Sequence, residues 1–222
     1  MNLGLFFEFP VKSGLSNTAV FEESFHQIQM AEHLGLDSVW LAEIHFSPER
    51  SLLSAPLVLA SAIASRTKHI RIGTAVEVLP LANPIRLAEE VATLDHICQG
   101  RFEFGVGRSG APKGYIGYNV PYAESRPRFY ETLEILQKAW TQETFSHHGE
   151  FFQYSNVPVT PNPFQDPHPP VRLAADSAST FLITSTMGLP IFIGLRGVPT
   201  LLADRVNSYK QSWLKSGNLG KP

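Results

Sequence analysis

Short runs of β-branched and aromatic residues recur along this chain at a nearly constant interval. Strand candidates start at Asn2, Asp37, His69 and Arg101, spaced 35, 32 and 32 residues apart. Their cores read Leu3-Gly4-Leu5-Phe6-Phe7, Ser38-Val39-Trp40-Leu41-Ala42, Ile70-Arg71-Ile72-Gly73 and Phe102-Glu103-Phe104-Gly105-Val106. Two more follow at Val171-Arg172-Leu173-Ala174 and Ile191-Phe192-Ile193. Glycine, proline or polar residues bound each run, as strands require. Helical patterns fill the gaps: Ala19 to Leu34, a stretch after Pro56, one opening at Asn83-Pro84, Arg126 to Trp140, one near Ser177, and Leu201 to Leu214. Gly35 suits a helix C-terminus, and Asn83-Pro84 is an N-cap followed by proline at the first helical position. Parallel strands need helical crossovers, so this alternation predicts an α/β fold with a parallel sheet. A closed barrel of eight such units needs about 250 residues. The chain has 222 and supplies six units, which predicts an incomplete barrel in a single domain over 1–222.

The interval breaks once. Residues 146–170 carry Pro158, Pro161, Pro163, Pro167, Pro169 and Pro170. So many prolines exclude a helix or central strand. The segment is expected to run as an excursion over the barrel mouth, with a short hairpin near Phe151 to Tyr154.

Eighteen Lys and Arg against 20 Asp and Glu give a net charge of -2, with no basic surplus for a nucleic-acid partner. The one cysteine, Cys98, excludes an internal disulfide and fits a reducing compartment. The first ten residues lack a positive leader and a cleavage site, and the longest apolar run, near Ala55 to Ala64, is far short of a membrane span. These features predict a soluble cytoplasmic protein with no membrane partner.

Three clusters carry chemistry. Gly105-Val106-Gly107-Arg108-Ser109-Gly110 has the spacing of a dinucleotide-binding loop, which needs a strand before it and a helix after it. Ala111-Pro112-Lys113-Gly114 follows, where no helix is expected, so the reading is a flexible strand-to-helix loop at a barrel's catalytic face. Glu43-Ile44-His45 closes the second strand. A carboxylate and an imidazole two residues apart share a face, as an acid–base pair, two ligands of a metal site, or a structural polar pair under a loop. The remaining histidines show no metal-ligand spacing, so no metal is expected and a metal-dependent hydrolase is disfavoured. Arg108 and Arg126 flank one loop, and Ser177, Ser179 and Thr180 open a helix. Hydroxyls and free N–H groups at a helix start, together with arginines, suit a phosphate.

These stretches resemble the bacterial luciferase-like, flavin-dependent monooxygenase family. The resemblance rests on Asp37 to Phe46, Ile72 to Pro80, Asn83 to Glu90 with Leu94-Asp95, Gly100 to Arg108, Ser125-Arg126 and Ala175 to Thr180. It implies a TIM-type barrel that binds reduced FMN, or a deazaflavin, at its mouth. Such enzymes oxidise a small organic substrate with dioxygen through a flavin hydroperoxide, usually with a separate flavin reductase. By resemblance, Arg108, Arg126, Ser177 and Thr180 bind the flavin phosphate, and Asp176 takes the place of a flavin-contacting acid. Ala75-Val76 falls where the family often has a non-prolyl cis peptide under the flavin ring. Luciferases carry two histidines after the acid that matches Glu43, the first one catalytic. Here that position is Ile44, which cannot move a proton, and the acid–base role passes to His45 with Glu43. Members usually run past 300 residues, and strands seven and eight have no counterpart here. A non-catalytic flavin-binding or partner subunit is therefore the alternative reading. The strand edges at Leu3 to Phe6 and Ile191 to Ile193 are expected to make the chain marginally stable or a homodimer.

Overall fold

The structure, a computed structural model, describes residues 2–194 and 198–218. Met1 and Pro222, the limits of the expected domain, lie outside the described residues. The chain divides into two compact units, Met1–Pro170 and Val171–Pro222.

The first unit runs β1 (Gly4–Phe7), α1 (Asn17–His33), β2 (Ser38–Leu41), α2 (Pro56–Arg66), β3 (Arg71–Thr74), β4 (Glu77–Val78), α3 (Pro84–Ile97), β5 (Phe102–Gly107), α4 (Pro112–Gly117), α5 (Ser125–Thr141), β6 (Phe145–His148) and β7 (Gln153–Val157). Strands β1, β2, β3 and β5 pair in that order, all parallel, and β4 extends the pairing with β5 through Glu77 and Val106. The six residues of β5 are all buried, as expected of a strand covered on both faces. Leu87, Ala88, Val91, Ala92 and Leu94 form the buried face of α3. Asn83 caps that helix by accepting the Arg86 N–H at 3.1 Å. At the end of α1 the chain turns through Gly35 at φ +79°, a backbone conformation that favours glycine.

The second unit holds β8 (Val171–Ala174), α6 (Ala178–Thr186), β9 (Ile191–Phe192) and α7 (Pro199–Lys215), with β8 and β9 parallel. Its core is Ala175, Phe181, Tyr209 and Trp213, with Ile191, Ile193, Leu202 and Val206 packed against them. The six expected strands are therefore β1, β2, β3, β5, β8 and β9, and the fold is α/β, with six βα units of a TIM-type barrel.

One expectation is corrected. A helix does open after the glycine-rich loop: α4 starts at Pro112. Proline is well placed at a first helical position, because its missing N–H would have had no partner there anyway. The Pro-rich segment is tied to the first unit at two places. Its hairpin, β6 with β7, turns at 149–152 and lies against α5, where Glu131 accepts the N–H groups of Phe151 and Phe152 at 3.1 and 2.8 Å. Beyond it, Gln165 donates to Asp95 near the end of α3 and to the Phe102 carbonyl where β5 begins, at 2.7 and 2.9 Å. The Gln165 anchor lies at the amino ends of the strands, whereas the hairpin tip meets Arg128 in the first turn of α5, 4.3 Å from the Phe151 ring. Helix α5 runs back from the mouth, so the connection that leaves it starts at the opposite end.

Candidate functional site

The carboxyl ends of β2, β3 and β5 bring the predicted residues of the first unit together. Strand β2 stops at Leu41, so Glu43 and His45 stand on the loop beyond it rather than on the strand. The loop is fixed from behind: the Ile44 N–H donates to the Leu53 carbonyl at 2.9 Å. Glu43 Oε1 lies 2.5 Å from His45 Nε2, and both side chains are only 7% exposed. The second oxygen, Glu43 Oε2, accepts the Val78 N–H at 2.6 Å. The Tyr118 ring packs edge-on against His45, centroids 4.9 Å apart, and its hydroxyl sits a long 3.5 Å from His45 Nδ1.

Thr74 locks the end of β3 to β5. Its hydroxyl donates to the Gly105 carbonyl at 2.7 Å and accepts the Gly105 N–H at 3.1 Å. The next bond, Ala75-Val76, is cis, as the resemblance leads one to expect. Val76 lies directly over Gly107, where a Cβ would overlap the valine side chain. Glycine is required there for close approach, not for a turn.

Arg108 follows β5 and donates to Ser125 Oγ at 2.8 Å. Its guanidinium also lies 5.5 Å from the centre of the Tyr122 ring. The Tyr115 hydroxyl donates to the Arg108 carbonyl, and burial pushes that phenol up to about 12 although the Arg108 charge opposes it. Ser125 begins α5 and Arg126 is exposed beside it. Both arginines therefore stand at one helix start. In the second unit, Ser177 caps α6 by accepting the Thr180 N–H at 3.3 Å, and its hydroxyl lies 2.8 Å from Thr180 Oγ1 and 3.0 Å from Ser179 Oγ. Asp176 is exposed, and its carbonyl accepts from Arg205 at 2.6 Å.

Sequence reasoning missed Glu77, which is 9% exposed. Burial, with the Glu43 and Glu90 carboxylates nearby, pushes it well above the usual carboxylate range. Its only signal was a lone acid inside the apolar run Val76 to Pro80. Among the described residues no group of three or more His, Cys, Asp or Glu is placed to hold a metal ion, and no helix is long and apolar enough to cross a membrane.

The model of the luciferase-like monooxygenase family matches residues 1–220. The chain belongs to that family. It is 35% identical over 165 residues to an alkanal monooxygenase alpha chain of a Kryptophanaron alfredi symbiont, covering 74% of this chain and 46% of that one. It is 29% identical over 165 residues to the oxygenase component of a flavin-dependent trigonelline monooxygenase from Acinetobacter baylyi, covering 70% and 43%. The solved monooxygenase RslO1 of Streptomyces bottropensis superimposes with a TM-score of 0.94 at 25% identity, over 100% of this chain and 68% of that one. The chain spans about half the length of the curated relatives it matches.

Proposed function

We propose that this chain binds a flavin at the carboxyl ends of its strands and serves a flavin-dependent monooxygenase reaction on a small organic substrate. The observation that carries the reading is the hydrogen bond from Arg108 to Ser125. It holds the Arg108 guanidinium at the start of α5, where Arg126 also stands and where the helix dipole already favours an anion. Planar, permanently charged donors suit a phosphate. Ser177 and Thr180 offer hydroxyl donors at the start of α6, and Asp176 beside them is assigned a polar contact to the flavin. Ala75 and Val76 present backbone and a small apolar surface, a suitable rest for a flat ring. Each of these groups, taken by itself, suits reduced FMN. They fit a deazaflavin too, because both carry a phosphorylated ribityl chain.

Reduced flavin, when bound, supplies the two electrons that let dioxygen deliver one oxygen atom to the substrate and the other to water. The chain's own task is to hold the ring, keep water out and move a proton. His45 is the proton-transfer group. Glu43 accepts from His45 Nε2 and leaves Nδ1 facing Tyr118, which fixes the ring's orientation. A separate reductase supplying reduced flavin, a cytoplasmic setting and a homodimer belong to the same proposal. The second reading, a non-catalytic flavin-binding or partner subunit, rests on Ile44, which removes one proton-transfer group from the end of β2.

Titration with oxidised and with photoreduced FMN, followed by fluorescence, tests the cofactor. Arg108→Ala should weaken binding by more than about 1.5 kcal/mol, the scale of a charged hydrogen bond, or more than roughly tenfold. Arg126→Ala should do the same. Flavin affinity unchanged in both variants refutes the assignment. Binding of reduced FMN without any oxygen-dependent consumption of it favours the non-catalytic reading.

A further inference from the structure

Beneath the Glu43–His45 pair lies a cavity of about 270 Å³ whose lining includes Glu43, His45, Glu77, Glu90 and Tyr118. It has room for about nine waters at about 30 Å³ each, the size of a small ligand. Pro56, Leu57, Val58 and Leu81 line its other side. The wall is acidic, although Arg86, outside the lining, pairs with Glu90 at 2.7 Å. Three carboxylates contribute to the lining, and no lysine or arginine does. Among the described residues, the buried Glu77 Oε2 has no hydrogen-bond partner. A buried polar atom without a partner costs free energy that a ligand's donor recovers.

We propose that this cavity binds a small organic ammonium, its charged nitrogen donating to Glu77 and its short apolar chain lying against Leu57, Val58 and Leu81. An ammonium carries three N–H donors and no acceptor, which complements the unpartnered Glu77 oxygen. The Tyr118 ring adds an aromatic face of the kind that attracts cations. The carboxylates are not placed as metal ligands among the described residues, which favours an organic cation over a metal ion. The ligand's role as a substrate rests on the function proposed above, because the cavity shares Glu43 and His45 with that site. Its binding does not rest on it.

Glu77 is faced by Glu43 from the loop after β2 and by Glu90 from α3, which is itself paired with Arg86, with His45 and Tyr118 lining the same cavity. Burial and the two carboxylates favour its neutral acid. An arriving ammonium reverses that preference, so Glu77 gives its proton to the buffer as the ion pair forms.

Isothermal titration of the full chain with n-butylammonium chloride at pH 7 and low salt tests this, with 1-butanol and butyrate as neutral and anionic controls. We expect saturable binding of the ammonium alone, with proton release revealed by different heats in phosphate and Tris. Glu77→Gln should keep the fold, weaken binding at least tenfold and abolish proton release. Glu90→Gln should weaken binding less. Failure of butylammonium to bind, equal binding by wild type and Glu77→Gln, or equal binding of butanol overturns the proposal. So does self-association in sedimentation that Glu77→Gln abolishes, which would assign the cavity to a second copy. FMN titration of the same variants separates the two readings. Flavin binding without ammonium binding removes only this inference, and the converse removes only the flavin assignment.

Discussion

The two ends of the parallel strands in the first unit treat charge in opposite ways. At the amino ends, charged groups meet opposite charges or backbone dipoles. Arg101 donates to the carbonyls of Ala64, Thr67, Ile70 and Cys98 and to the Thr67 hydroxyl. Arg71 pairs with Glu103 at 2.5 Å. Glu32 accepts three successive N–H groups, of Lys68, His69 and Ile70. Burial works against ionising Glu32, but those N–H groups prevail and hold it below the usual range. At the carboxyl ends, like charges gather instead. Glu43 and Glu77 are buried near each other, and Arg108 and Arg126 share a helix start. One end spends its polar groups on stability. The other gathers like charges, at the face where (β/α) barrels carry their chemistry.

The sharpest way to break this contrast is at the floor. Arg101→Met should lower folding stability by about 3 kcal/mol or more, because several carbonyls lose a donor at about 1–3 kcal/mol each. The urea midpoint reports it, and a loss below about 1 kcal/mol would show that water replaces the guanidinium. At the mouth the effect should move from folding to binding. Arg108→Ala should cost flavin affinity about 1.5 kcal/mol yet shift the urea midpoint by no more than about 0.5 kcal/mol, as exposed positions do. A large stability loss there would erase the distinction.

Glu77 sharpens the comparison through pH. Its carboxyl is held above the usual range, so the folded chain binds more protons than the unfolded chain at pH values between the two. Stability from this group is full below the unfolded value and is lost as pH rises through the folded one. Glu77→Gln should therefore raise the melting temperature at pH 8 by about 2–4 °C, the shift of about 1 kcal/mol in a chain of this size. The gain should vanish near pH 4, and a constant gain across pH would point to packing instead. The smallest effect belongs to Arg71→Met. Its side chain is 39% exposed, and such pairs contribute about 0–1 kcal/mol, less in high salt. Thermal melts at low and high salt would measure it.

Some of this contrast is legible in the chain. Arg108, Arg126 and the Glu43-Ile44-His45 run stand out because their residue types sit just past a strand pattern. The close contact of Glu43 with His45 is not legible. The strand ends at Leu41, and it is the loop's hydrogen bond to Leu53 that turns the two side chains together. Glu77 was overlooked because one acid in an apolar run carries no period. Its importance depends on neighbours 34 residues before it and 13 after it, Glu43 and Glu90. The proline count of 146–170 excluded a helix or central strand, and the segment holds only the two short strands of the β6–β7 hairpin.

The sequence by itself determined the order and kind of the six main strands and their helices, because the periods of 2 and 3.6 and the capping residues are local signals. It also determined the family, through residue types at fixed spacing. Only the tertiary structure decided which charges are neutralised and which are left facing one another. Register across β2, β3 and β5 sets those distances, and register follows from packing many residues at once rather than from any one segment.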